Sequence, residues 1–363
     1  MTAISWPEDA RRPSGRAFVL AALALVLWPS SPIAQQHPPL TERVDVARVL
    51  IDARAFDDGG RPILGLGPAD FLVRIDGRAA PVESAEWVGR SPSDETGVTG
   101  ETSTRAEHRS TTDADGQAPG RLVVFLVQKD LEPMRITGLM QIAQLVDTLL
   151  APLTPDDRVA VLSFDSRLRF WVDFTNNLGR VRSVLSSDVL MRHPGPVSES
   201  DGLSLLSGLT EKLADGVHGI EHSLRHIAEA LEPLPGAKSL VLLGYGFGRW
   251  SPMSGVILMD GYAEASAALQ RARVAVFTLN VTQANYNSLQ AGLQTVAAQT
   301  GGVYASTFEF PTQAIRRVSH ALAGYYVLFV EKPDLERGPH RIEVKLRGRR
   351  GTVMARRSYV EMR

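Results

Sequence analysis

The sequence predicts an α/β protein: a doubly wound, mostly parallel sheet covered by helices, flanked by a small β unit drawn from both ends of the chain. Three observations carry this. From Leu122 onward, strand-length apolar runs alternate with segments of helical period, the pattern of a parallel sheet buried on both faces. Before that stretch, Val44 to Val88 reads as short strands between turns, and after Gly324 the chain becomes strand-like again. With 363 residues, 44% of them hydrophobic, there is ample apolar side chain to bury.

The elements follow in order. Arg11, Arg12 and Arg16 precede an apolar run from Ala17 to Trp28 and a small-residue region ending at Ala34. Basic, apolar and small-residue regions in that order are the pattern of a secretory signal, so residues 1–34 are expected to act as a signal peptide cleaved near Ala34 or as an uncleaved signal anchor. Either places the body in an extracytoplasmic space, periplasmic or secreted, with a membrane involved only if the segment stays uncleaved. Residues 42–88 form the expected N-terminal β unit: Val44 to Ile51 is rich in branched residues, Asp57-Asp-Gly-Gly60 is a turn, and Phe71 to Ile75 runs into Asp76-Gly77. Residues 89–120 turn to Ser, Thr, Gly, Asp and Glu and are expected to be a disordered linker.

Residues 121–323 carry the α/β domain. Its expected strands are Leu122 to Val127, Val159 to Phe164, Leu168 to Phe174, Ser239 to Leu243, Val274 to Val281 and Val303 to Ser306. Helices fall between them. Pro133 suits a first helical position, and Ile136, Leu139, Ile142, Leu145, Val146 and Leu149 recur at helical spacing. Ile220, Leu224, Ile227, Ala228 and Leu231 do the same, as do Ala263, Ala267 and Ala268; a further helix from Tyr286 stops at Gly301-Gly302, and another starts near Pro311. Residues 324–363 supply the closing strands, Tyr325 to Val330, Arg341 to Leu346 and Thr352 to Val360.

Composition excludes several functions. There is no cysteine, hence no disulfide framework, thiolate nucleophile or Cys-ligated metal. Lys plus Arg number 39 against 40 Asp plus Glu, which argues against a nucleic-acid binder. Gly244 to Gly248 lacks the Gly-Lys-Ser/Thr end of a P-loop, and no Gly-x-Ser-x-Gly elbow occurs. No cofactor is called for. The arginines of the closing strands read as a solvated strand face.

Asp156-Asp157-Arg158-Val-Ala-Val-Leu-Ser-Phe164, and Val274-Ala-Val-Phe-Thr-Leu-Asn280 followed by a helix ending Thr-Gly-Gly302, resemble the core of a von Willebrand factor type A domain. Around it, Val44 to Ile51, Gly60 to Leu66, Ala69 to Gly77, Gly324 to Phe329, His340 to Leu346 and Ala355 to Tyr359 resemble the frame of VWFA-related proteins of acidobacterial type. The resemblance implies a doubly wound α/β domain inserted into a small β-sandwich built from N- and C-terminal strands. It also implies a place to look for a hard divalent cation, where the family uses Asp-x-Ser-x-Ser, a Thr and an Asp, all oxygen donors. Here the first motif reads Gln128-Lys129-Asp130-Leu131-Glu132, and the third loop reads Tyr245-Gly246 in place of Asp-Gly. The threonine region falls near Val217-His218 without an equivalent. The adhesion-type metal site is therefore expected to be lost. Asp130 and Glu132 remain as carboxylates for a rearranged site, or else are solvated or paired with Lys129 and Arg135 at a helix N-terminus.

His218-Gly-Ile-Glu221-His222 matches the inverted zinc-peptidase spacing, with two histidines at i and i+4 and a glutamate as base. A metal-dependent hydrolase is the alternative it raises. It lacks a distinctive third ligand, and Ile220, Leu224, Ile227 and Leu231 already give that helix a face for the sheet. The expectation is an exported, non-enzymatic module for a protein partner, contacting it through Gln128, Asp130, Glu132, His218, Tyr245 and Phe247 at the C-terminal ends of the parallel strands.

Overall fold

The computed structural model describes residues 48–89, 120–200, 202–214, 219–259, 261–282 and 289–361. The N-terminal 1–34 segment, all but the two ends of the 89–120 linker, and His218 lie outside the described residues.

The first strands are β1 (Arg48–Phe56), β2 (Phe71–Ile75), β3 (Arg78–Ala80) and β4 (Val82–Gly89). β1 runs on past Ile51, because Ile51, Ala53 and Ala55 all turn inward to the same cluster. Next come β5 (Leu122–Gln128), α1 (Pro133–Gln144), α2 (Val146–Leu150), β6 (Arg158–Phe164) and β7 (Leu168–Thr175). Then follow α3 (Leu178–Ser183), a π-helical turn over Val184–Asp188, α4 (Val189–Met191), α5 (Leu205–Ala214) and α6 (Ile220–Leu231). The second half of the domain is β8 (Lys238–Gly244), a hairpin of β9 (Arg249–Ser251) and β10 (Gly255–Ile257), α7 (Gly261–Arg271), β11 (Val274–Asn280), α8 (Gln290–Thr300), β12 (Tyr304–Ser306) and α9 (Pro311–Leu322). The chain closes with β13 (Gly324–Glu331), β14 (Gly338–Leu346), β15 (Thr352–Ala355) and β16 (Ser358–Glu361). The last two divide what the sequence presented as one strand.

Six strands form the central sheet in the order β12-β11-β8-β5-β6-β7. All its pairs are parallel except β6 with β7, an antiparallel edge hairpin. Alternation along β5 divides the core in two. Val123, Phe125 and Val127 pack with Leu139 and Ile142 of α1 and Ile315 and Val318 of α9. Leu122, Val124 and Leu126 pack with Leu209, Leu224, Leu269 and Leu293 of α5 to α8. Each such side chain contributes about 1.5–3 kcal/mol when fully buried, so both helical layers are held mainly by this sheet. On α7 the inward face is Tyr262, Ala265, Ala268 and Leu269; Ala263 is exposed and Ala267 only half-buried, a correction to the face read from the alanines.

Two antiparallel sheets, β15-β1-β13-β4 and β16-β14-β2-β3, join the two ends of the described chain. β13 lies between β1 and β4, and β14 pairs with β2. Ile51, Phe71, Val73, Ile75, Leu328 and Ile342 from both sheets share one hydrophobic cluster. Tyr326 sits within it at 1% exposure, its ring edge-on to Phe71 and Trp87, and its hydroxyl donates to Ile63 O and accepts from Leu66 N.

At the amino ends of β5 and β6, Arg121 and Asp157 form a buried pair. Arg121 donates through Nε and Nη2 to the two carboxylate oxygens, at 2.9 and 2.6 Å, and caps Leu322 O and Pro152 O. Burial raises the Asp157 pKa, but the Arg121 hydrogen bonds and charge outweigh it and hold the carboxyl below its usual range.

Candidate functional site

Strand order reverses at β5: the chain runs outward through β6 and β7, then returns to β8 on the other side. The crevice between the loops after β5 and β8 is thus the topological switch point, where open α/β sheets place their ligands. Gln128 ends β5 and Gly244 ends β8, so the sequence-predicted residues from both loops converge there.

Gln128 fills that crevice. It is 3% exposed; its Nε2 donates to Gly246 O at 2.9 Å, and its Oε1 accepts from Tyr245 N at 3.2 Å and Gly246 N at 3.3 Å. Two glycines make room. A Cβ at Gly244 would stand 2.4 Å from Gln128 Oε1, and Gly246 has φ +112°, a backbone that L side chains rarely adopt.

Beside it, Glu132 is the N-cap of α1 and accepts from Arg135 N at 2.9 Å, with Pro133 at the first helical position. Asp130 accepts from Glu132 N and pairs with the Arg135 guanidinium, which also lies 3.9 Å from Glu132. That guanidinium stacks on Tyr245, 3.8 Å from the ring centroid. Lys129 turns away toward Trp171. Burial lowers its pKa, with Asp165 acting in the opposite sense. Burial, then the Asp130 charge, raises that of the Tyr245 phenol.

The group at the end of β5 is a neutral amide with both ends in use, and the two carboxylates already hold a guanidinium. Among the described residues no group of three or more His, Asp or Glu is placed to hold a metal ion.

The predicted contact residues therefore divide. Asp130, Glu132 and Tyr245 are half-buried at the crevice, and Gln128 lies inside it. Phe247 is a correction: at 3% exposure it packs on Tyr262, ring centroids 5.8 Å apart, and belongs to the core. Helix α6 begins at Ile220, after its N-cap Gly219, and the His218 call lies outside the described residues. Glu221 is buried and His222 exposed.

Sequence reasoning missed the apolar residues that leave the same end of the sheet. Leu131, between Asp130 and Glu132, is 90% exposed; Trp250 and Met253, on and at the tip of the β9–β10 hairpin, are 55% and 97% exposed. The available signal was a lone leucine in a polar turn, and Trp-Ser-Pro-Met-Ser-Gly between two short runs.

No protein-family model matches the chain, and no curated protein matches it. Among solved structures, an aerotolerance-related membrane protein from Bacteroides fragilis aligns at 12% identity and TM-score 0.37, over 56% of this chain and 98% of that one. BatB from Bacteroides thetaiotaomicron aligns at 13% identity and TM-score 0.34, over 56% and 97%. Proximal thread matrix protein 1 of the mussel byssus aligns at 14% and 0.36, over 59% and 49%.

Proposed function

We propose that this protein is an exported, non-enzymatic interaction module of von Willebrand factor type A-like fold, set in a small β-sandwich, that binds a protein partner without a metal ion. The observation that carries the reading is the crevice itself. Gln128 ties the β5 and β8 loops together, and Arg135 takes both carboxylates that a cation would need. The surface left for contact at that end is apolar: Leu131, Trp250 and Met253 are side chains of the kind that fill interface cores. The basic, apolar and small-residue order of residues 1–34 supports export.

The test is capture of partners from the extracytoplasmic fraction by the chain from Gln35 onward, with and without EDTA, alongside Leu131→Asp. Retention should be indifferent to EDTA and lost in the variant. A partner released by EDTA and restored by Mg²⁺, or calorimetric heat of Mg²⁺ binding abolished by Asp130→Ala, overturns the reading.

A further inference from the structure

A second polar region, with no part in the crevice, has the opposite charge balance. Between β1, β8, the end of α7 and the segment joining β15 to β16 lies a cavity of about 20 Å³, lined by Asp52, Arg54, Lys238, Arg273 and Arg356. Four cations face one carboxylate. Arg273 takes that carboxylate through both oxygens, at 3.2 and 2.5 Å. Arg54 donates from Nε to Ala321 O, and its guanidinium lies over the rings of Phe277 and Tyr325.

The other two cations are left without an anion. Arg356 Nη2 donates to Leu50 O at 2.6 Å, but its Nε is buried with no hydrogen-bond partner. Lys238 is 4% exposed overall; its ammonium makes no hydrogen bond or ion pair among the described residues but, unlike Arg356 Nε, is not fully cut off from solvent. The one further carboxylate whose field reaches it, Glu232, is paired with Arg271. Buried charges are tolerated when a counter-charge or donor set satisfies them, and here the protein supplies too few. Burial, with Arg273 beside it, pushes the Lys238 pKa down to about 8, and burial pushes that of Arg54 down to about 10.

We infer that this cavity binds one small monovalent anion of the halide class, contacted by Lys238 Nζ and Arg356 Nε in the field of Arg54 and Arg273. Size favours the class: a space of about 20 Å³ has room for about one small species, which favours a monatomic anion over sulfate or phosphate. The neighbouring hydroxyl and amide do not compete for the role. Thr300 Oγ1 accepts from Val276 N and donates to Val296 O, and Gln270 Nε2 donates to Ser266. The anion would sit where β1 of the frame meets β8 and α7 of the α/β domain, so binding would appear as stability rather than as activity.

The experiment is thermal unfolding of the full chain in sodium gluconate with increasing chloride or bromide at constant ionic strength. Tm should rise by about 3 °C, saturating with halide as a single site requires, and the rise should vanish in Lys238→Met while that variant keeps its fold. Equal Tm in gluconate and chloride overturns the inference, as does a halide effect that persists undiminished in Lys238→Met. Should that variant not fold, Arg356→Gln gives the same reading from the other side of the cavity. In crystals soaked in bromide, an anomalous peak within contact distance of Lys238 Nζ is the direct positive result.

Discussion

The loop end of the sheet and the cavity beside β1 use the same side-chain types to opposite effect. At the loop end, one guanidinium, Arg135, answers two carboxylates, and a neutral amide closes the crevice. Beside β1, four cations share one carboxylate, and Arg356 keeps a buried donor without a partner. In the first region the amide and both carboxylates are held by the protein itself, although Arg135 Nε keeps no hydrogen-bond partner, and the most exposed side chains there are apolar. The second is incomplete and calls for an ion from outside. Charge balance, more than the presence of charge, decides which polar cluster is a binding site.

The largest effect should come from a buried pair that is balanced. Asp157→Ala leaves the Arg121 guanidinium, 8% exposed, without its carboxylate, and should cost about 3–5 kcal/mol in urea unfolding. The pH dependence has a fixed sign. Asp157 has a lowered folded pKa, so its contribution is full above the unfolded value of about 3.9 and is lost as pH falls through the folded one. The gap between wild type and variant should close on that descent. A small, pH-independent difference would mean that balance matters less than the comparison holds.

The unbalanced cluster should respond in the alkaline range. Lys238 titrates near 8 in the folded chain against about 10.4 unfolded, so between those values the unfolded state binds more protons and stability rises with pH. In gluconate the rise attributable to this lysine is about 2–3 kcal/mol from pH 8 to 10.5, and it should be absent in Lys238→Met. In chloride the slope should shrink, because a bound anion favours the charged ammonium. Denaturant midpoints across that range, in both salts, measure it.

At the loop end the effect should be smaller. Gln128→Ala strands the amides of Tyr245 and Gly246 and the carbonyl of Gly246 at a buried position, for a loss of about 1–3 kcal/mol. No stability loss in denaturant titration would mean that the amide does not hold the two loops together.

How far the sequence foretold these regions follows from burial. The six sheet strands were legible because most are buried on both faces and read as continuous apolar runs. The β9–β10 hairpin was not, since three-residue exposed strands carry no such run. On α7 the alanines gave no preference between faces; Tyr262 and Leu269 decided it. At the crevice, Gln128 and Tyr245 stood out only against the pattern of the domain the sequence resembles. Arg135 was one of several possible partners for the carboxylates, and only the turn at Glu132 selects it over Lys129. The cation cavity was invisible, because Asp52, Lys238, Arg273 and Arg356 come from separate parts of the chain.

The smallest effect on stability should accompany the largest on binding. Trp250 and Met253 protrude from a two-stranded hairpin, and neither belongs to one of the buried core clusters. Trp250→Ala and Met253→Asp should therefore change unfolding free energy by no more than about 0.5 kcal/mol, as for other exposed positions. If the partner is held by the apolar side chains of the loop end, the same two substitutions should each weaken partner binding at least tenfold, about 1.4 kcal/mol, through a faster off-rate measured by surface plasmon resonance. Raising salt should leave the off-rate nearly unchanged, because no exposed ion pair is asked to hold the partner. A strong salt dependence with no effect of Trp250→Ala would move the contact away from the hairpin and onto the charged faces of the chain, and the contrast between the two regions would lose its functional half.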